Sequence, residues 1–181
     1  NLESYGFDLS TTLVPKSKII PAGIPKDHIK SIDQPSYMTV EEVFARNEKK
    51  RGKFLVSGDR VIGVQINDQS RAYPLRILSL HEVVNDRLGG MDIAVTYSPL
   101  CDSAVVFERT LNDQTLEFGV SGLLYNSNLI MYDRQQQQSQ ESLWNQLYCG
   151  AIAGPKAENK TQLDVIPFSL MRWSDWIEMH P

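Results

Sequence analysis

Three features of the sequence carry side chains whose types and spacing suit chemistry. His81-Glu82 closes an apolar stretch, Cys101 follows Pro99 in a small polar loop, and Ser121 to Asn128 sets several small polar residues between apolar runs. An imidazole near neutral pH serves as a general base or a metal ligand. A thiol serves as a nucleophile, a soft-metal ligand or half of a disulfide. The amides and hydroxyls of the third segment either line a pocket or satisfy loop backbone. His81 is the one histidine set among structured segments, since His28 lies in a Pro-rich stretch and His180 at the chain's last step. Cys101 and Cys149 allow one disulfide, and two free, partly buried thiols are the favoured expectation.

The elements that must position these groups follow from patterning. Pro15, Pro21, Gly23, Pro25 and Pro35 punctuate residues 1–38. That stretch reads as an extended arm draped over the body and as a surface for a protein partner. Residues 39–181 read as an α+β domain. Thr39 and Glu42 make a capping box ahead of a Val40, Val43, Phe44 stripe, with Glu48 to Arg51 as its charged end. Val61 to Ile66, the turn Asn67 to Ser70, and Arg71 to Tyr73 read as a hairpin that Pro74 stops. Leu75 to Val84 reads as a short helix and Asn85 to Gly90 as a turn-rich link. Ile93 to Tyr97, Ala104 to Phe107, Leu116 to Val120 and Leu129 to Asp133 read as strands. Ser121 to Asn128 reads as an irregular polar loop. Glu141 to Tyr148 and Ser169 to Met179 read as helices. The sum is a central antiparallel or mixed sheet with several short helices.

Composition excludes some classes. The chain of 181 residues carries a net charge of −4, so it lacks the basic face a nucleic-acid binder needs. Its apolar runs are too short for a transmembrane helix. P-loop, GxGxxG, HExxH and GxSxG signatures are absent.

The order of motifs is itself informative. Arg71 to Leu78 (RAYPLRIL), His81 to Asp86 (HEVVND), Thr96 to Cys101 (TYSPLC), Gly119 to Arg134 and Ser142 to Trp144 follow one another from about Ser31 onward. In this order they resemble the prokaryotic domain family of unknown function numbered 3179. The resemblance implies an extracytoplasmic setting, either secreted or lipoprotein-like. It offers Arg71, Arg76, Glu82, Tyr97, Ser121, Tyr125, Asn126 and Asn128 as pocket residues. The family's usual loop reads CPLCG; here Ser98 replaces the first cysteine and Asp102 the glycine. Without the pair, a CxxC redox cycle is closed to this chain. Three readings follow. One is a non-catalytic binding or structural module. Another is a copper-like site on His81, Cys101 and Met131, set beside a reading with no cofactor. The third is an enzyme with Cys101 as nucleophile and His81 as base, oriented by Glu82 or Asn85.

Overall fold

The structure is a computed structural model that describes residues 2–49 and 52–181. Its strands are β1 (Ile19–Pro21), β2 (Ile32–Asp33), β3 (Arg60–Ile66), β4 (Gln69–Pro74), β5 (Val83–Leu88), β6 (Met91–Ser98), β7 (Ser103–Glu108), β8 (Thr110–Leu111), β9 (Gln114–Thr115), β10 (Phe118–Tyr125), β11 (Asn128–Asp133), β12 (Leu143–Asn145), β13 (Gly150–Ala153) and β14 (Phe168–Arg172). The helices are α1 (Val40–Lys49), α2 (Leu75–His81), α3 (Pro155–Glu158) and α4 (Trp173–Met179). This is the α+β class that the patterning predicts.

Alternation of side chains stacks the sheets. The middle sheet, ordered β2-β5-β6-β7, is mixed, because β2 runs parallel to β5 and the other pairs are antiparallel. Ile93, Val95 and Tyr97 of β6 face the sheet β14-β3-β4, where Ile62, Val64 and Tyr73 complete one core. Ala94 of β6 faces the other way with Val83 and Phe107. There it meets Phe118, Val120, Leu129, Met131 and Trp144 of the sheet β1-β10-β11-β12-β13. This two-sided burial is why β6 reads as a continuous apolar run rather than an alternating one. The outer faces are covered as well. Phe7 and Ile19 cover Ile130 and Tyr132, while α1 and α4 pack Val43, Trp173 and Trp176 on Val61.

The capping box is present. Glu42 N donates to Thr39 Oγ1 at 3.2 Å, and Thr39 N donates to the Glu42 carboxylate at 2.8 Å. Two amides that the helix leaves unpaired are thereby satisfied. The charged end expected for α1 passes outside the described residues at Lys50 and Arg51.

Four local expectations need correction. Helix α2 stops at His81, and Asn85 to Gly90 is no link; Val83–Leu88 is a strand whose Asn85 and Asp86 are buried. The Asn85 amide stands in for a strand neighbour, donating to Phe118 O at 2.8 Å and accepting from Phe118 N at 3.0 Å. Glu141 to Tyr148 is no helix; β12 takes Leu143–Asn145, and the buried Asp133 carboxylate accepts Ser142 N and Trp144 Nε1, each at 2.8 Å. Residues 168–172 form β14, so the last helix starts only at Trp173. Most of the Ser121 to Asn128 segment is strand as well. Val120 pairs with Met131 and Leu123 with Ile130. Ser121 and Gly122 therefore form a two-residue bulge, and the alternation keeps its phase.

A candidate thiol site

Cys101 sits in the turn between β6 and β7. Its neighbour Asp102 has φ 48°, a left-handed backbone that Asp tolerates better than most residues. The Asp102 carboxylate accepts from both Arg60 terminal nitrogens, at 2.9 and 3.1 Å, and from Tyr97 Oη at 2.7 Å. The same contacts, Arg60 first and Tyr97 next, hold that carboxyl below the usual range. An anchored turn presents the adjacent thiol, which is exposed and free.

Below the thiol lies a rigid polar network. Cys101 Sγ is 3.1 Å from Ser103 Oγ, and Asn128 Nδ2 donates to the sulfur at 3.3 Å. Asn128 also donates to Gln146 Oε1 at 2.8 Å, and its own carbonyl accepts from Asn145 Nδ2 at 2.9 Å and Leu147 N at 3.1 Å. Gln146, fully buried, donates to Thr96 Oγ1 at 3.0 Å and accepts from Ser103 Oγ at 2.7 Å. Every amide in this chain has partners, so it holds one geometry. Burial pushes the Cys101 thiol up. Hydrogen bonds with Ser103, Ser98 and Asn128 outweigh that, and its pKa falls below the ordinary thiol value. Cys149 is the opposite case. It is half-buried with only long contacts to Gln146 O and Leu147 O, and burial raises it. Both thiols are free in the structure.

The end of α2 is tied to β6, since Tyr97 N donates to Glu82 O at 2.9 Å. Glu82 terminates the helix at φ 59°, uncommon for a residue with a side chain. Burial pushes its carboxyl up to about 7. His81 turns elsewhere: its Nδ1 lies 2.7 Å from Lys30 O.

The chain belongs to the family described as a protein of unknown function (DUF3179), whose profile matches residues 26–181. No curated protein and no solved structure matches the chain.

Against the DUF3179 motifs, the sequence-derived site residues separate into distinct places. Asn128 and Cys101 are brought together. Tyr97 supports the loop through Asp102. Ser121 is fully buried and holds the bulge, donating to Ile130 O at 2.5 Å and accepting from Leu123 N at 3.0 Å. Tyr125 packs beside Phe7 and Ile19, and Asn126 occupies the β10–β11 turn with φ 50°. Met131 is wholly buried, paired with Val120 on one side and Trp144 on the other, with its sulfur in the apolar core. Arg71 lies in a separate cleft, bound to Asp86, and Arg76 reaches Phe54 O. Among the described residues no group of His, Cys, Asp and Glu gathers as a metal set. Sequence reasoning misses Ser103, Asn145 and Gln146. The last two fall in a stretch with helical spacing that forms no helix, and the overlooked signal is an adjacent amide pair directly after an apolar Leu-Trp.

Proposed function

We propose that this DUF3179 protein works through Cys101 as a thiol nucleophile toward an exogenous electrophilic carbon or sulfur. The observation that carries the reading is an exposed thiol that accepts Asn128 Nδ2 on a rigid amide network, with its pKa below the ordinary value. Attack forms a bond from Sγ to the electrophile and breaks the bond to the leaving group. The thiol proton leaves to solvent before attack, since Cys101 is exposed and the thiolate is the reacting form. Ser98 stands where the family carries another cysteine, so an adduct on Cys101 cannot be released by the second thiol of a CxxC pair. The extracytoplasmic setting implied by the family resemblance belongs to this reading, because small disulfides and other electrophiles are met there. A metal role gains no support from the ligand arrangement.

The second reading is a non-catalytic module, and one observation favours it: the Asn128–Gln146–Ser103 network is fully satisfied without any ligand. One experiment separates the two. In a Cys149→Ala background, the iodoacetamide alkylation rate of Cys101 is followed against pH. A midpoint below the free-thiol value of about 8.5, moving upward in Ser103→Ala, is the expected result. A midpoint at or above that value, unmoved by Ser103→Ala, overturns the nucleophile and leaves the module.

A further inference from the structure

A cleft of about 1110 Å³ lies away from Cys101 and runs along β4. The consecutive residues Asp68 to Pro74 all line it, and α1, Trp173 and Tyr37 contribute to the other walls. Strand β4 ends its sheet, with β3 as its one neighbour.

Hairpin geometry fixes which backbone groups face the cleft. β3 and β4 meet through the two-residue turn Asn67-Asp68, closed by the pair Ile66 and Gln69. In such a hairpin the closing pair exchanges both hydrogen bonds, and bonded and non-bonded pairs then alternate. Arg71 and Tyr73 therefore bond to β3, through Val64 and Ile62. Ser70 and Ala72, opposite Gln65 and Gly63, point their N–H and C=O groups away from β3. No other backbone group takes them among the described residues. The next outward position is Pro74, which has no N–H to leave unsatisfied. An open edge of this kind is a template for another strand.

The charges on the cleft are specific. The Arg71 guanidinium binds the buried Asp86 and Arg87 O through Nη1 and lies 3.9 Å over the Tyr37 ring. Arg46 lies 4.8 Å over the Phe54 ring and forms no ion pair among the described residues. Glu41 and Asp68 are the acidic groups of the lining, with Asp68 in the hairpin turn at one end of the strand. Arg71 is mid-strand, so an acidic side chain suits the middle of a bound segment.

We propose that this cleft binds an extended peptide segment of a partner protein. The segment joins the sheet beside β4 through Ser70 and Ala72, and a central carboxylate lies beside the Arg71 guanidinium that lines the cleft. The run from residue 68 to 74 spans roughly 20 Å of extended chain, which suits a strand better than a compact small molecule. This site is independent of Cys101.

The test is fluorescence anisotropy with a labelled seven-residue peptide of alternating valine and threonine around one central glutamate. Saturable binding is expected. The same peptide with a central lysine, or with alternate amides N-methylated, should bind at least about tenfold more weakly. Ser70→Pro, which removes an outward N–H from an edge position where proline is tolerated, should weaken the glutamate peptide equally. Absence of saturable binding overturns the proposal, as does equal affinity for the glutamate and lysine peptides or indifference to N-methylation. Dimerisation in sedimentation velocity that Ser70→Pro abolishes would also overturn it, by making a second copy the occupant.

Discussion

At the residue scale, two of the positions with positive φ, Asp102 beside the thiol and Glu82 at the end of α2, have different consequences. Asp102 adopts a conformation that glycine takes freely, and glycine is what the family's usual loop carries there. Its ion pair with Arg60 is open to solvent on both sides, so it is worth little. Asp102→Gly should therefore leave the thermal midpoint close to that of the unchanged protein while loosening Tyr97, a balance that differential scanning calorimetry reads directly. Glu82 behaves otherwise. Burial raises its folded-state pKa from 4.5 to about 7, so the folded protein holds this proton more tightly than the unfolded chain does. The stability it contributes is fully present below about pH 4.5 and is lost as pH rises through about 7. Glu82→Gln should flatten that part of the stability curve. Unfolding free energies from urea titrations at pH 5 and pH 8 should differ less in the variant, by on the order of 1–2 kcal/mol once partial exposure is allowed for. Unchanged pH dependence in Glu82→Gln would show that the carboxyl is not the group responsible.

At the element scale, Asp133 decides what β12 is. It is fully buried, accepts Ser142 N and Trp144 Nε1, and pairs with Lys156 Nζ at 2.7 Å. Removing it leaves an indole N–H and an ammonium uncompensated. Asp133→Ala should cost about 3–5 kcal/mol in chemical denaturation, and Asp133→Asn, which keeps acceptor capacity, should cost less. That anchor also explains what the sequence shows and what it hides. The capping box, the β3–β4 hairpin and the β6 and β7 strands are legible because local periodicity and turn residues decide them. Leu143, Trp144 and Leu147 have helical spacing, yet Leu143–Asn145 is extended, held by the Asp133 carboxylate of the neighbouring β11. Asn85 and Asp86 look like turn residues, yet they are buried because Phe118, Asp33, Arg71 and Tyr73 meet them. The thiol loop is visible, since Cys101 follows a strand and a proline. Its supporting amides are not, because Gln146 reaches Thr96 and Ser103 across two sheets and no local pattern encodes that contact.

At the scale of the molecule, the sheets are stacked, and each outer face needs a cover. On the α4 side, the cover is Trp176, which lies against Gly63 so closely that a Cβ there would meet the indole ring. On the far side, the cover is the N-terminal segment. β1 pairs Ile19, Ile20 and Pro21 with Tyr125, Leu124 and Leu123, closing the edge of β10. Phe7 packs on the Tyr132 ring at 5.4 Å, and Ile19 is nearly fully buried. The family match begins at residue 26, so these contacts lie before it. A chain beginning at residue 26 would therefore expose the β10 edge and uncover Leu123, Ile130 and Tyr132. Loss of Phe7 and Ile19 alone forfeits roughly 3–6 kcal/mol of burial. The uncovered strand adds a pairing hazard that the lost free energy does not measure. The shortened protein should melt at lower temperature and form concentration-dependent aggregates in light scattering. Ile19→Asp in the 181-residue chain should lower stability while leaving most of the segment in place to shield the edge. A shortened chain as stable and as monodisperse as the parent would show that the outer face of this sheet needs no cover.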